Sequence, residues 1–292
     1  MDTRLLEYFL AIAREENITK AAESLHITQP TLSRQIQDLE KDLGKTLFNR
    51  TGRKTTLTQD GEIFKKRAEE ILTLVQKAKD ELSSTNTQLH GSIHIGAGET
   101  YQMKQITDLL STIHQEHPSV TYRLYSGVAD DVLEKVDTGL LDFALVFEPV
   151  QKEKYNFIEV PSYDQMGVLM CDDHPLARKD QITYDDLYQM ELLVSTRSEI
   201  NDTAFVSRLK NDSAMHIIGS FNLIYNASLM VSSHLGQAIT IKDIAPRLPH
   251  LIWKPITPEI NAKLVLIWKK YEVMTPLHQL FLDEIRKLYS QA

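Results

Sequence analysis

The tightest constraint in this 292-residue chain is one apolar seam: Phe64, Ala68, Ile71, Val75, Ala78 and Leu82 follow one another at intervals of 4, 3, 4, 3 and 4 residues. The seam extends back through Gly61 to Leu57 and forward toward Leu89. Heptad spacing of this kind puts the side chains on one narrow stripe of a helix. A helix of about 25 residues is about 37 Å long at a rise of about 1.5 Å per residue. A helix with a single apolar stripe needs a second surface. The candidates are the chain's own domain and the same helix of a second copy. Beyond the seam, Ser83-Ser84-Thr85-Asn86-Thr87-Gln88 is polar and helix-poor, and reads as a hinge that ends the first domain.

The residues before the seam show what such a helix would carry. Leu5, Leu6, Phe9, Leu10, Ile12 and Ala13 recur at helical spacing, as do Ile18, Ala21, Ala22 and Leu25, so two short helices are expected. After a short turn, Thr28 can cap a third helix, with Pro30 in its first turn where a missing N–H costs little. Leu32, Ile36, Leu39 and Leu43 form its buried stripe, and Gln29, Ser33, Arg34, Gln37 and Lys41 its polar face. This is the layout of a helix-turn-helix, and also of an ordinary three-helix bundle whose polar face meets water. The polar groups suit the major groove: Arg can bond two acceptors of guanine, Gln can pair with adenine, and Ser or Thr can serve base edges or phosphates. The next segment, Leu47 to Leu57, reads as a β-hairpin turning at Gly52. A hairpin in that position is a wing, and it would lay Arg53 and Lys54 along phosphates or a minor groove.

Charge bears on the same question. The chain carries 32 Lys and Arg against 40 Asp and Glu, a net charge of −8, which by itself argues against a nucleic-acid partner. Residues 1–90 hold 14 basic and 14 acidic side chains, however, so the whole deficit lies in the remainder. From Leu43 to Thr58 there are Lys45, Arg50, Arg53 and Lys54 and no acid. Two reading heads on one paired helix would match the two half-sites of a palindrome, which favours the homodimer as the seam's partner.

The run Asn17-Ile18-Thr19-Lys20-Ala21-Ala22-Glu23-Ser24-Leu25-His26-Ile27-Thr28-Gln29-Pro30-Thr31-Leu32-Ser33-Arg34-Gln35-Ile36, then Leu39-Glu40, Leu43-Gly44, Leu47-Phe48, Arg50 and Leu57-Thr58-Gln59-Asp60-Gly61, resembles the LysR-type transcriptional regulators. More loosely, Gly91 to Gly96, His117 to Val120, Gly139 to Leu145 and Asp173 to Leu176 resemble that family's effector-binding domain. The resemblance implies a fold that is α/β overall: an N-terminal winged helix-turn-helix with a long linker helix, then a two-lobed α/β, periplasmic-binding-protein-like effector domain. It implies DNA contact through Thr28, Gln29, Pro30, Thr31, Ser33, Arg34, Gln37, Arg50, Arg53 and Lys54. It further implies a small-molecule effector, tetramers built as dimers of dimers, and contact with RNA polymerase if the protein is an activator. The expected domains are 1–58, 59–90 and 91–292, the last divided into a lobe at about 91–161 with 268–292 and a second at about 162–267.

Read for itself, the second part gives strand, helix, strand, helix, strand from Gly91 to Phe147, an α/β layer order with crossover connections. Gly167 to Met170, Leu192 to Val194, a helix near Ile224 to Ser233, Gln237 to Ile241, Lys263 to Trp268 and an amphipathic Pro276 to Tyr289 follow. Ligands in such sheets sit at strand C-terminal ends. The expected cleft residues are therefore Gly98, Glu99, Thr100 and Tyr101, then Ser126 and Gly127, then Phe147 and Glu148, and across a hinge Ser195 and Thr196. The resemblance puts effector contacts at corresponding loops. Helix N-termini favour anions, yet Glu99 and Glu148 would repel a carboxylate unless Arg123 or Arg197 offsets them.

Other functions lack support. There is no Gly-x-Ser-x-Gly, phosphate-cradling Gly-rich loop or His-Glu-x-x-His, so no enzyme is expected. Cys171 is the single cysteine and reads as a strand residue, and His114 with His117 lack further ligands, so neither cofactor nor metal is expected. No secretory signal or membrane span is read, and a cytoplasmic, nucleoid-associated protein is expected. A solute-binding module for transport would need export, while a helix-turn-helix that docks protein rather than DNA remains a rival reading.

Overall fold

The computed structural model describes residues 2–51, 54–82, 89–196, 212–245 and 248–290. The chain forms two compact units, Met1–Ser83 and Ser84–Ala292.

The first unit runs α1 (Thr3–Glu15), α2 (Ile18–Ser24), α3 (Gln29–Leu43), β1 (Phe48–Thr51), β2 (Lys54–Leu57) and α4 (Gln59–Leu82). Helix starts follow from local side chains. Asp2 accepts the Arg4 N–H at 3.0 Å, and Asn17 accepts those of Thr19 and Lys20 at 2.9 and 3.1 Å, satisfying amides that a first turn leaves without partners. α3 stops at Gly44, whose φ of 64° is a conformation glycine takes without strain. Leu32, Ile36 and Leu39 of the expected stripe pack on Leu6, Phe9 and Ile12 of α1, whereas Leu43, at the end of the helix, is exposed. Phe9 lies 5.0 Å from Phe48 and 4.9 Å from Phe64, ring to ring. Each such pair adds about 0.5–1.5 kcal/mol beyond area burial.

A polar knot ties hairpin and helices together. Glu40 Oε1 accepts the N–H groups of Leu47 at 2.8 Å and Phe48 at 3.1 Å. Thr58 Oγ1 donates to the Thr46 carbonyl at 2.7 Å and accepts the Gly61 N–H at 2.9 Å, capping α4. At Gly61 the backbone of α4 comes so close that a Cβ would stand 2.1 Å from the Leu47 carbonyl oxygen. The Leu39-Glu40 and Leu57-Thr58-x-x-Gly61 motifs are thus one joint between α3, the hairpin and α4.

The second unit runs β3 (Gly91–Ala97), α5 (Met103–Glu116), β4 (Val120–Ser126), α6 (Ala129–Asp137), β5 (Phe143–Phe147), β6 (Tyr155–Cys171), β7 (Ile182–Thr183), α7 (Tyr184–Leu187), β8 (Leu192–Ser195), β9 (Ile217–Phe221), α8 (Ile224–Ser232), β10 (Gln237–Ile241), β11 (Leu251–Thr257), β12 (Asn261–Lys269) and α9 (Pro276–Ser290). Strand β6 is 17 residues long and serves two halves. Its first part, Tyr155 to Gln165, pairs with β12, which pairs in turn with β5, and β3 and β4 continue that half in parallel. From Met166 to Cys171 it pairs with β10 and β11, and β8 and β9 extend the second half beyond β10. The first half packs α5 and α9 on one face, around Ile106, Phe143, Leu266 and Phe281, and α6 on the other. The second half builds its own core on Met166, Val168, Met170, Leu192 and Ile239, with α8 over the opposite face.

Two expectations are corrected here. The return to the first half, expected near residue 268, comes earlier: Leu264 to Ile267 already pair with β5, so β12 belongs to the first half from Asn261 onward. The run Leu264 to Trp268 is a strand buried on both faces, and periodicity alone does not say which sheet such a run joins. The outward crossing, expected at about 161, falls at Gln165–Met166 because the β6 ladder continues past Pro161.

Gly61→Ala is expected to destabilise the first unit by about 1–3 kcal/mol through overpacking. Calorimetric unfolding of the full chain should show that unit's transition at a lower temperature and the other unchanged.

Candidate DNA interface and effector cleft

On α3 the side chains of Thr28, Gln29, Pro30, Thr31, Arg34 and Gln37 are exposed and that of Ser33 half-buried, opposite the buried stripe. Thr28 takes the N-cap backbone conformation but accepts no first-turn backbone N–H; its hydroxyl instead shares a 2.8 Å hydrogen bond with that of Thr31. The wing pairs Phe48 with Leu57 through Thr51 with Lys54. Thr55 N–H donates to the Glu16 carbonyl at 2.9 Å, fastening β2 to the end of α1. The stretch without acids in sequence is not without them in space: Lys54 Nζ is 2.6 Å from Glu16, and Lys45 Nζ 3.3 Å from Asp60. Exposed pairs of this kind contribute only about 0–1 kcal/mol, so a phosphate can compete for either lysine. Arg50 lies on β1; its side chain and all of Arg53 lie outside the described residues.

The seam on α4 divides. Ala68 is fully buried, and Phe64 and Ile71 pack with it on the chain's own α1 core, so these three have a partner within the unit. Phe9 supplied a surface that the spacing did not reveal. Val75 is half-buried, Ala78 exposed and Leu82 88% exposed, and Leu74 beside them is 38% exposed. Of the described seam residues on α4, those at the distal end are the ones left uncovered.

In the second unit Gly98, Glu99, Gly127, Phe147 and Ser195 line one cleft between the two halves, enclosing about 680 Å³ of space that includes its open mouth. The rest of its wall includes Met166 at the β6 crossing, Phe221 to Ile224 and Ile239 to Ile241. Phe221 to Ile224 are missing from the expected cleft residues because no strand is read at β9, and the strand-end rule applied to Phe221 finds them; Met166, Ile239 and Thr240 lie within strands and are not reached by that rule. Thr100, Tyr101, Ser126, Glu148 and Thr196 fall outside that lining. Thr100 is buried and donates to Asp164 Oδ2 at 2.5 Å, Tyr101 is exposed, and Glu148 pairs with Lys152 at 2.9 Å.

Electrostatics single out two carboxyls. Burial pushes Glu99 above the ordinary carboxylate range, opposed by the Ile224 N–H that it accepts at 2.5 Å. Burial likewise pushes Asp164 up, the bonds from Thr100 and Gln102 pull it down, and the charge of Asp243 adds to the rise. Cys171 is buried and donates to the Val231 carbonyl at 3.1 Å, and burial raises its thiol. Its sulfur, Asp173 and His234 lie within 4.8 Å of one another, a grouping that the sequence did not suggest.

A winged reading head on a long helix, followed by a hinged two-sheet module with an apolar cleft, defines a regulator that joins a DNA-reading part to a ligand-binding part. Residues 3–62 match the model of the bacterial regulatory helix-turn-helix protein, lysR family, and residues 86–290 that of the LysR substrate binding domain. The chain belongs to the LysR family of transcriptional regulators, which are not enzymes. It is 34% identical over 195 residues to the hydrogen peroxide-inducible genes activator of Pectobacterium carotovorum subsp. carotovorum, a stretch covering 66% of this chain and 64%, short of two thirds, of that relative. It is also 34% identical over 298 residues to the uncharacterized HTH-type transcriptional regulator YybE of Bacillus subtilis (strain 168), covering 100% of each. Its fold is similar to that of CbnR, a LysR family transcriptional regulator, with a TM-score of 0.78 at 21% identity over 99% of both chains. The structure of full-length CbnR complexed with target DNA gives 0.76 at 21% identity, over 99% of this chain and 100% of that one.

Asp164 yields a pH test. A carboxyl with a raised folded pKa binds more protons when folded, so its contribution to stability improves as pH falls through the raised value toward the ordinary one near 3.8 and is lost on the way back up. Asp164→Asn is therefore expected to raise Tm at neutral pH, by an amount that shrinks as pH is lowered toward 4. A difference independent of pH would contradict the assignment.

Proposed function

We propose that this protein is a sequence-specific DNA-binding regulator whose binding or promoter activation responds to a small molecule held between the two halves of its C-terminal unit. The observation that carries the reading is the exposed face of α3, with Gln29, Arg34 and Gln37 projecting opposite the packed Leu32, Ile36 and Leu39. Residues 1–58 are the reading head and 59–90 its linker and hinge, while 91–292 bind the effector. Val75, Ala78 and Leu82 provide the seam for a homodimer on an imperfect palindrome, and such dimers pair into tetramers. Contact with RNA polymerase belongs to the reading as an activator. Cytoplasmic, nucleoid-associated placement goes with DNA binding; among the described residues no helix is long and apolar enough to cross a membrane.

The effector acts by binding one arrangement of the two halves better than the other, since only differential affinity shifts such an equilibrium. The relatives that are peroxide-inducible gene activators raise the question of oxidant sensing. The chain has one cysteine and therefore no internal disulfide. Burial also keeps Cys171 protonated, and the thiolate is the reactive form. The cleft, not the thiol, is the proposed sensor.

Fluorescence anisotropy on the gene's own upstream region, titrated against salt, tests the reading. Affinity is expected to fall steeply with added salt. Arg34→Ala should weaken specific binding by more than ~1 kcal/mol, while Lys54→Ala should weaken all sequences alike. Salt-insensitive binding, or an Arg34→Ala variant that binds operator and random DNA as before, contradicts it.

A further inference from the structure

Helix α8 lies in the second half of the C-terminal unit and begins without a cap of its own. Its N-cap residue is Leu223, which offers no side-chain acceptor. The first-turn amides of a helix need acceptors and carry the positive end of its dipole. The acceptor comes from the other half: Glu99, in the loop after β3, reaches across the cleft and takes the Ile224 N–H on Oε2 at 2.5 Å. Residues 99 and 224 are 125 apart in sequence, and no local capping motif brings them together. Glu99 is also the single charged side chain in the described lining, which contains no Lys, Arg or His. The surrounding wall, including Phe147, Met166, Phe221, Ile239 and Ile244, is mostly apolar.

A helix N-terminus facing a cleft is where an acidic ligand would ordinarily place its negative group. Here the position is filled. We infer that Glu99 is the resident anion of this cleft: its carboxylate occupies the α8 N-terminus and sets the effector class as a largely apolar small molecule carrying a hydrogen-bond donor or a positive charge, with carboxylates rejected. The inference rests on the proposal that this cleft is the effector site. An acidic effector would bring a second negative charge beside Glu99, and among the described residues the lining holds no cation to offset it; Arg197 lies outside those residues. An ammonium, hydroxyl or N–H group finds in Glu99 an acceptor already held in place. Burial of the carboxylate, which raises its pKa, makes that partner more welcome.

The test uses the full chain and the variants Glu99→Ala and Glu99→Gln. Hydrogen exchange of the first α8 turn and Tm are followed with sodium acetate as probe, against sodium chloride at equal ionic strength. In Glu99→Ala the first-turn amides should exchange at least tenfold faster than in wild type. Acetate should slow them again and raise that variant's Tm, while leaving wild type at its chloride value. Glu99→Gln, which keeps an acceptor oxygen, should fall between. A second arm compares phenethylamine with phenylacetate: wild type should be stabilised more by the amine, and Glu99→Ala should shift its preference toward the acid. Equal acetate responses in wild type and Glu99→Ala, unchanged exchange in Glu99→Ala, or wild type favouring phenylacetate would each overturn the inference. Those results would leave the effector-cleft proposal standing. That proposal fails separately, if no small molecule that binds the C-terminal unit alters DNA binding.

Discussion

Both cores of the C-terminal unit hang on one strand. The first part of β6 is laced to β12, and its last six residues, Met166 to Cys171, are laced to β10 and β11. Backbone hydrogen bonds on both sides fix each part in its own sheet, so a relative motion of the halves has to turn on the residues around this crossing and on the return between β11 and β12. Met166 stands at that point and also lines the cleft. Phe147, at the end of β5, packs against the cores of both halves. A change in what fills the cleft is therefore felt where the two halves are joined, which is the geometry a hinge needs.

The reading head solves a different problem. It is too small to rely on apolar burial alone, and the Glu40, Thr58 and Gly61 contacts fix the hairpin against α3 and α4 with directional bonds. The result presents a polar face on α3 and a wing held to α1 through Glu16. The negative charge of the chain lies beyond residue 90, and residues 1–90 are neutral overall, with Lys45 and Lys54 already paired to acids. On the proposed reading as a dimer, affinity for DNA would depend on many modest contacts from more than one head, in keeping with a helix α4 that leaves Ala78 and Leu82 exposed.

Much of this was legible in the sequence, for reasons that differ by element. The α3 stripe, the wing and the order of strands and helices through Phe147 follow from periodicity and turn residues, which are local. The heptad spacing on α4 was read correctly as a helix but did not say what would cover it; Phe9, more than fifty residues earlier, covers Phe64. The length of β6 is masked by Pro161, which reads as a strand end but here lies where the register of the β6–β12 ladder shifts. Of the expected cleft positions, those at strand ends such as Gly98, Phe147 and Ser195 meet in space. Thr100 and Glu148 are turned to other partners, because side-chain direction depends on neighbours from distant segments. The Glu99 to Ile224 contact is of that kind and was invisible to spacing.

On the proposed reading, the state of the cleft governs how the protein holds DNA. The most direct test is a DNase footprint and binding curve on the protein's own upstream region, comparing wild type with Phe147→Trp, which enlarges the side chain touching both cores without altering the head. The folded variant should differ from wild type in footprint length, or in affinity by about threefold or more. A folded Phe147→Trp protein with the wild-type footprint and affinity would contradict it.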